Sequence, residues 1–149
     1  QEEIKNLVDG ADVIILPTAA QTRSLELTLE MAEHLKQFNV PFAALLVKVD
    51  SRKAKAAREI RQALEAAEIS VLRTQIPLLA AFEKAENAGV TVDQAVSASG
   101  KSDPRRMIGW HAYTKACEEI AGLVPQRTNV VPMHPIGWDT TPLEDRRAA

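Results

Sequence analysis

The sequence predicts an α/β fold, a parallel sheet flanked by helices. Short continuous apolar runs occur at Val13-Ile14-Ile15-Leu16, from Phe42 to Val49, and at Ile69-Ser70-Val71-Leu72. The segments between them carry apolar residues at helical spacing. The order is therefore strand, helix, strand, helix, strand. Connections of that length make the strands parallel and the crossovers right-handed.

The first run stops at Pro17 and reads as a strand buried on both faces, because helices cover both sides of a parallel sheet. Thr18 to Gln21 reads as a polar loop. From Thr22 to Phe38, Leu25, Leu29, Ala32 and Leu35 share a helical face, widened by Leu27, Met31 and Phe38. Pro41 opens the second strand. Asp50 or Ser51 then caps a helix from Arg52 to Ala67, with Ala57, Ile60, Leu64 and Ala67 on its inner face. On its outer face Lys55 and Glu59, and Arg61 and Glu65, are spaced for surface pairs.

After the third run, Thr74 to Pro77 reads as a loop and Leu78 to Ala88 as a helix ended by Gly89. Ser97 to Ser102 is small and polar, a loop. Asp103-Pro104 signals a helix start, a capping carboxylate followed by proline in the first turn. That helix runs to Ala121, with Trp110, Tyr113, Cys117 and Ile120 on one face. Residues 1–124 thus make the α/β portion. Residues 125–149, with Pro132, Pro135 and Pro142 and no periodicity, read as an extended or disordered tail. Ile136 and Trp138 are its candidate docking residues. Three short strands make a narrow sheet that further strands would complete.

Composition narrows the function classes. Hydrophobic residues make up 46% of the 149 and aromatics only 4%, so the core is aliphatic and rich in small alanines. A net charge of −2 gives no bulk attraction to nucleic acid and leaves only local basic patches. The single cysteine, Cys117, excludes an internal disulfide and a multi-cysteine metal site. No apolar run is long enough to span a membrane and no signal peptide is visible, so a cytoplasmic location is expected. Opening at Gln1 in the end of a helix, the chain is expected to start inside a larger protein.

The one hint of a phosphate loop is Gly100-Lys101-Ser102. Ala95 stands where the first glycine belongs, the preceding strand is weak, and Pro104 restarts a helix where one should continue. His34, His111 and His134 are isolated from one another, which leaves no metal-ligand spacing. What remains are the strand ends, where open α/β sheets bind ligands. There Asp50 is placed to accept from a nucleotide base and the stem of Lys48 to lie over its ring. The alternative is that Asp50 only caps the next helix.

Four stretches, in order, resemble the second half of the ParA/MinD-type deviant P-loop ATPases. Ala11-Asp12-Val13-Ile14-Ile15-Leu16-Pro17 resembles the family strand of Ala-Asp, apolar run and Pro. Leu45-Leu46-Val47-Lys48-Val49-Asp50, followed by a basic helix, resembles the base-side strand. Thr74-Gln75-Ile76-Pro77, with Phe82, Ala85, Gly89 and Val92 beyond it, resembles the Ile-Pro segment. Asp103-Pro104, Gly109, Ala112-Tyr113 and Glu119 resemble the last helix.

The resemblance implies a partial P-loop NTPase (ParA-like) fold, ATP and Mg as cofactors, and a homodimer that hydrolyses ATP in DNA or cargo segregation. It also implies a ParB-like partner and non-specific DNA binding. It places Lys48, Asp50, Ile76 and Pro77 on the base side of the nucleotide, and Arg105 and Arg106 at DNA phosphates. The phosphate loop and the magnesium-binding aspartates are expected in a missing N-terminal P-loop half, so no catalytic residue and no metal ligand is assigned to this chain. Leu78 stands where an arginine often follows Ile-Pro, and Val47 where a polar side chain reads the base. These departures keep open a second reading, a non-catalytic ParA-derived adaptor.

Overall fold

The computed structural model describes residues 5, 6 and 8–124. The expected tail, with His134, Ile136 and Trp138, lies outside the described residues.

The molecule is built on a parallel sheet of three strands in the order β1-β2-β3: β1 is Ile14–Ala19, β2 is Phe42–Val49 and β3 is Val71–Pro77. Helix α1, Thr22–Leu35, joins β1 to β2, and α2, Ala54–Ala66, joins β2 to β3. The chain then passes through α3, Ala80–Ala88, to α4, Arg106–Ala121. Each crossover steps the same way across the sheet, so a constant handedness places α1 and α2 on one face. Helix α4 covers the other.

Strand β2 shows why its sequence is apolar from Phe42 to Val47. Ala44 and Leu46 pack with Ala32 of α1 and with Ile60 and Leu64 of α2. The alternate residues Ala43 and Leu45 pack with Leu72, Ile76 and Ala116 on the α4 side. Leu46 and Leu64 are both wholly buried, each worth about 1.5–3 kcal/mol of transfer free energy. Alanines fill many of the remaining core positions, so helices approach the sheet closely.

The edge strands depart from the sequence reading. β1 continues through Pro17 and Thr18 to Ala19, where a loop was expected. The polar Thr18 is accommodated because its hydroxyl lies 2.9 Å from that of Thr28 on α1, both side chains being buried. Ile14, Ile15 and Leu16 are only half-buried, since among the described residues β1 has a strand neighbour on one side alone. β3 likewise absorbs Thr74 to Pro77, expected as a loop. Arg73, Thr74 and Gln75 are tolerated there because β3 is also an edge.

Two irregularities shape the β2–β3 pairing. Ala44 pairs with Val71 and Leu46 with Gln75, so β3 carries extra residues at Arg73 and Thr74. Their N–H groups are received by the two carboxylate oxygens of Glu119 on α4, and Arg61 of α2 donates to the Leu72 carbonyl at 2.9 Å. Side chains from opposite faces thereby close this stretch of sheet edge. In β2 the compensating residue is Lys48, held at φ 52.

The expected surface pairs form, Lys55 with Glu59 at 3.7 Å and Arg61 with Glu65 at 3.9 Å. Gly89 ends α3 in the left-handed region at φ 65, as its position predicted. The start of α4 differs in detail. Asp103 accepts from the Arg105 N–H at 2.9 Å and binds Lys84 of α3, and the helix begins two residues beyond Pro104.

The buried face of α4 is a correction. Gly109, Ala112, Ala116 and Ile120 face the protein, while Trp110, Tyr113 and Cys117 are exposed. Small residues win the inner face because α4 lies against the sheet and α3. A Cβ on Gly109 would stand 2.8 Å from Phe82 Cζ.

Candidate functional site

The carboxyl ends of the three strands meet at one end of the sheet, and two adjoining clefts open there. One, of ≈390 Å³, is walled by Asp50, Arg52, Pro77, Leu78 and Arg105. The other, of ≈140 Å³, lies toward β1 and is bordered by Gln21, Lys48 and Lys53, sharing Asp50 and Leu78 with the first. Lys48, Asp50, Pro77 and Arg105, distant in sequence, are therefore neighbours in space.

Asp50 is both cap and ion-pair partner. Its Oδ1 accepts from the Arg52 backbone N–H and from Arg52 Nε, each at 3.0 Å, and its Oδ2 accepts from Arg52 Nη2 at 2.8 Å. The bonds from the Arg52 side chain and then its backbone N–H hold the Asp50 carboxyl at about 2, well below the usual range. Asp50 thus caps the short 3-10 turn Ser51–Lys53 that leads into α2, whereas α2 itself begins at Ala54 without a side-chain cap. Oδ2 keeps a free lone pair, so the carboxylate retains capacity for one further donor.

Ile76 does not enter the cleft. Its side chain is 3% exposed and belongs to the core beneath α4. The next residue, Pro77, forms part of the wall instead. The left-handed backbone of Lys48, a non-glycine residue, stores about 1–3 kcal/mol of conformational strain at the site's edge. The two arginines separate. Arg105 faces the cleft, while Arg106 turns back to donate from Nη1 to the Asp103 carbonyl at 3.1 Å.

The Gly100-Lys101-Ser102 segment serves as a turn. Val96 and Ser102 form an antiparallel bridge, and Gly100, at φ 76, makes the turn between them. The Gly100 N–H bonds the Ser97 carbonyl at 2.8 Å and the Lys101 N–H bonds Ser97 Oγ at 3.2 Å. Those amides are spent inside the turn and cannot cradle a phosphate. Among the described residues no group of three His, Cys, Asp or Glu is placed to hold a metal ion, and no helix is long and apolar enough to cross a membrane.

Sequence reasoning missed a third, larger cleft between α2, β3 and α4, to which Arg73, His111 and Lys115 contribute. Ile108, His111, Ala112 and Lys115 repeat at helical spacing, which is the signal that marks a shared face.

Compared with protein-family models and with curated proteins, the chain finds no match.

Proposed function

We propose that this chain supplies the base-side edge of an adenine-nucleotide site in a ParA/MinD-type ATPase, with the phosphate loop, Mg and hydrolysis belonging to a separate P-loop half. The observation that carries this reading is the convergence of Asp50, Pro77 and Arg105 on one cleft at the carboxyl ends of parallel strands. That is where doubly wound α/β sheets receive nucleotides. The Pro77 ring offers an apolar face for a base, and Asp50 Oδ2 an acceptor for an exocyclic amine. The cleft suits the base; the residues described here offer no cradle for the phosphates.

The sheet edges support the same reading. β3 is partly closed by Arg61 and Glu119, whereas β1 has no strand neighbour on its outer side among the described residues, which leaves Ile14, Ile15 and Leu16 half-buried. Additional strands from a P-loop half are accommodated beside β1. In this proposal ATP-driven segregation of DNA or cargo, a homodimer, a ParB-like partner and phosphate contact through Arg105 all belong to the assembled ATPase.

The test is a calorimetric titration of the intact protein, P-loop half included, with ATP and ADP. Binding that weakens in Pro77→Gly and Asp50→Ala supports the reading. A well-folded intact protein that binds neither nucleotide sinks it. The adaptor reading is favoured by one observation: α4 leaves Met107 39%, Trp110 41% and Tyr113 44% exposed at three-residue spacing, a face suited to a protein partner. Nucleotide-independent partner binding that is lost in Trp110→Ala would select it.

A further inference from the structure

Beyond Pro77 lies the largest of the three clefts, ≈880 Å³, along the outer side of β3 and between α2 and α4. We propose that it binds a small ligand joining an anionic head, phosphate or carboxylate, to an apolar body. This does not rest on the nucleotide reading; the two clefts share Val49, Ser51 and Pro77, but Arg58, Arg73 and Lys115 line only the larger one.

Charge is the first argument. Arg58 from α2, Arg73 from β3 and Lys115 from α4 line the cleft, and no aspartate or glutamate does. Three separate elements thus bring cations to one concavity. Arg58 and Lys115 have no salt-bridge partner among the described residues. Glu119 accepts from the Arg73 and Thr74 N–H groups, and its charge offsets that of Arg73. Arg58 and Lys115 remain the cations without a salt-bridge partner among the described residues, and an anion is their electrostatic complement.

The floor is the second argument. Ala57, Ala112 and Ile108 give it an apolar surface between the cations. Ala112 packs onto the core and is fixed, while Ile108 is half exposed. A purely inorganic anion would leave that surface wet, whereas a ligand with an apolar body covers it. The volume falls in the range of small-molecule sites, about 300–1,000 Å³.

A peptide strand is disfavoured as occupant. The Arg73 and Thr74 N–H groups and the Leu72 carbonyl already have side-chain partners, so this part of β3 offers few groups for strand addition.

The experiment is an amide chemical-shift titration of the full 149-residue chain with phenyl phosphate, benzoate and inorganic phosphate. Saturable shifts at Arg58, Gln75 and Ala112 are expected with phenyl phosphate or benzoate, and the stronger of the two identifies the head group. Inorganic phosphate should bind roughly tenfold more weakly, since it forgoes the apolar floor. The double variant Arg58→Gln, Lys115→Gln should weaken binding about tenfold. Ile108→Glu should abolish it, by setting a carboxylate in the anion's place. All three positions are exposed, so thermal unfolding should confirm that both variants stay folded. The proposal is overturned by equal affinity for inorganic phosphate, by unchanged affinity in the double variant, or by shifts confined to Asp50 and Leu78. It is also overturned if duplex DNA moves the same amides while phenyl phosphate and benzoate do not.

Discussion

Gly109→Ala sets two effects of known sign against each other. Gly109 sits inside α4, where alanine is preferred over glycine by about 1 kcal/mol. The new Cβ, however, would lie 2.8 Å from Phe82 Cζ, 3.1 Å from Phe82 Cε1 and 3.1 Å from Val92 Cγ2. Carbon atoms pack best at about 3.5–4.0 Å, so the ring must retreat by roughly 0.7 Å or more. It has little room to do so. Tyr113 packs on it edge-to-face with centroids 5.6 Å apart, and the ring borders the cluster of Leu79, Ala81 and Val92. Overpacking of this kind costs about 1–3 kcal/mol. The steric term wins, and the net loss is about 1 kcal/mol. Urea denaturation followed by circular dichroism measures it as a shift in midpoint at unchanged slope. The decisive comparison uses Phe82→Leu, which removes the two ring atoms in conflict and leaves only the 3.1 Å approach to Val92 Cγ2. In that background Gly109→Ala should be neutral or stabilising, giving a coupling of about 1–2 kcal/mol. Additivity of the two substitutions to within about 0.3 kcal/mol would refute the packing argument.

Three further outcomes are expected. Burial raises the Glu119 carboxyl, but the Arg73 and Thr74 N–H bonds outweigh it and hold the group below its usual value. Its contribution is therefore present above the ordinary glutamate pKa and lost as pH falls through the depressed one. The stability gap between wild type and Glu119→Gln should be widest near about pH 7 and close on acidification, as denaturation at several pH values will show. The Asp50 carboxyl should titrate at about 2 by NMR, and Arg52→Gln should return it toward its ordinary 3.8. Glu68 follows α2 at φ 60, a left-handed position favouring glycine. Glu68→Gly should raise stability by about 0.5–1 kcal/mol in thermal unfolding.

The strand-end site was partly legible because each member is announced locally. Asp50 closes an apolar run, Pro77 ends the Ile-Pro segment expected as a loop, and Arg105 follows an Asp-Pro helix signal. Local pattern does not report which side chains then turn inward. Ile76 alternates into the core beneath α4, and Arg106 folds back on the Asp103 carbonyl, leaving Pro77 and Arg105 at the cleft. The cationic cleft was not legible, because Arg58, Arg73 and Lys115 come from three elements and none has a local motif.

By itself the sequence determined the alternation of strands and helices and the bounds of β2, whose two buried faces demand the apolar run Phe42 to Val47. It also determined where α3 ends, since Gly89 adopts the left-handed conformation without a Cβ penalty. Tertiary structure alone decided how far β1 and β3 extend and which face of α4 is buried. Thr18 belongs to a strand only because the Thr28 hydroxyl is there to meet it. Arg73 and Thr74 can bulge from β3 only because Glu119, some forty-five residues on, receives their N–H groups. On α4 hydrophobicity pointed to Trp110, Tyr113, Cys117 and Ile120; Ile120 does face the core, but nearer the start of the helix the small separation from Phe82 and the sheet admits Gly109, Ala112 and Ala116 instead. Periodicity reports that a helix has an apolar face; the space left by its neighbours decides which residues can fill it.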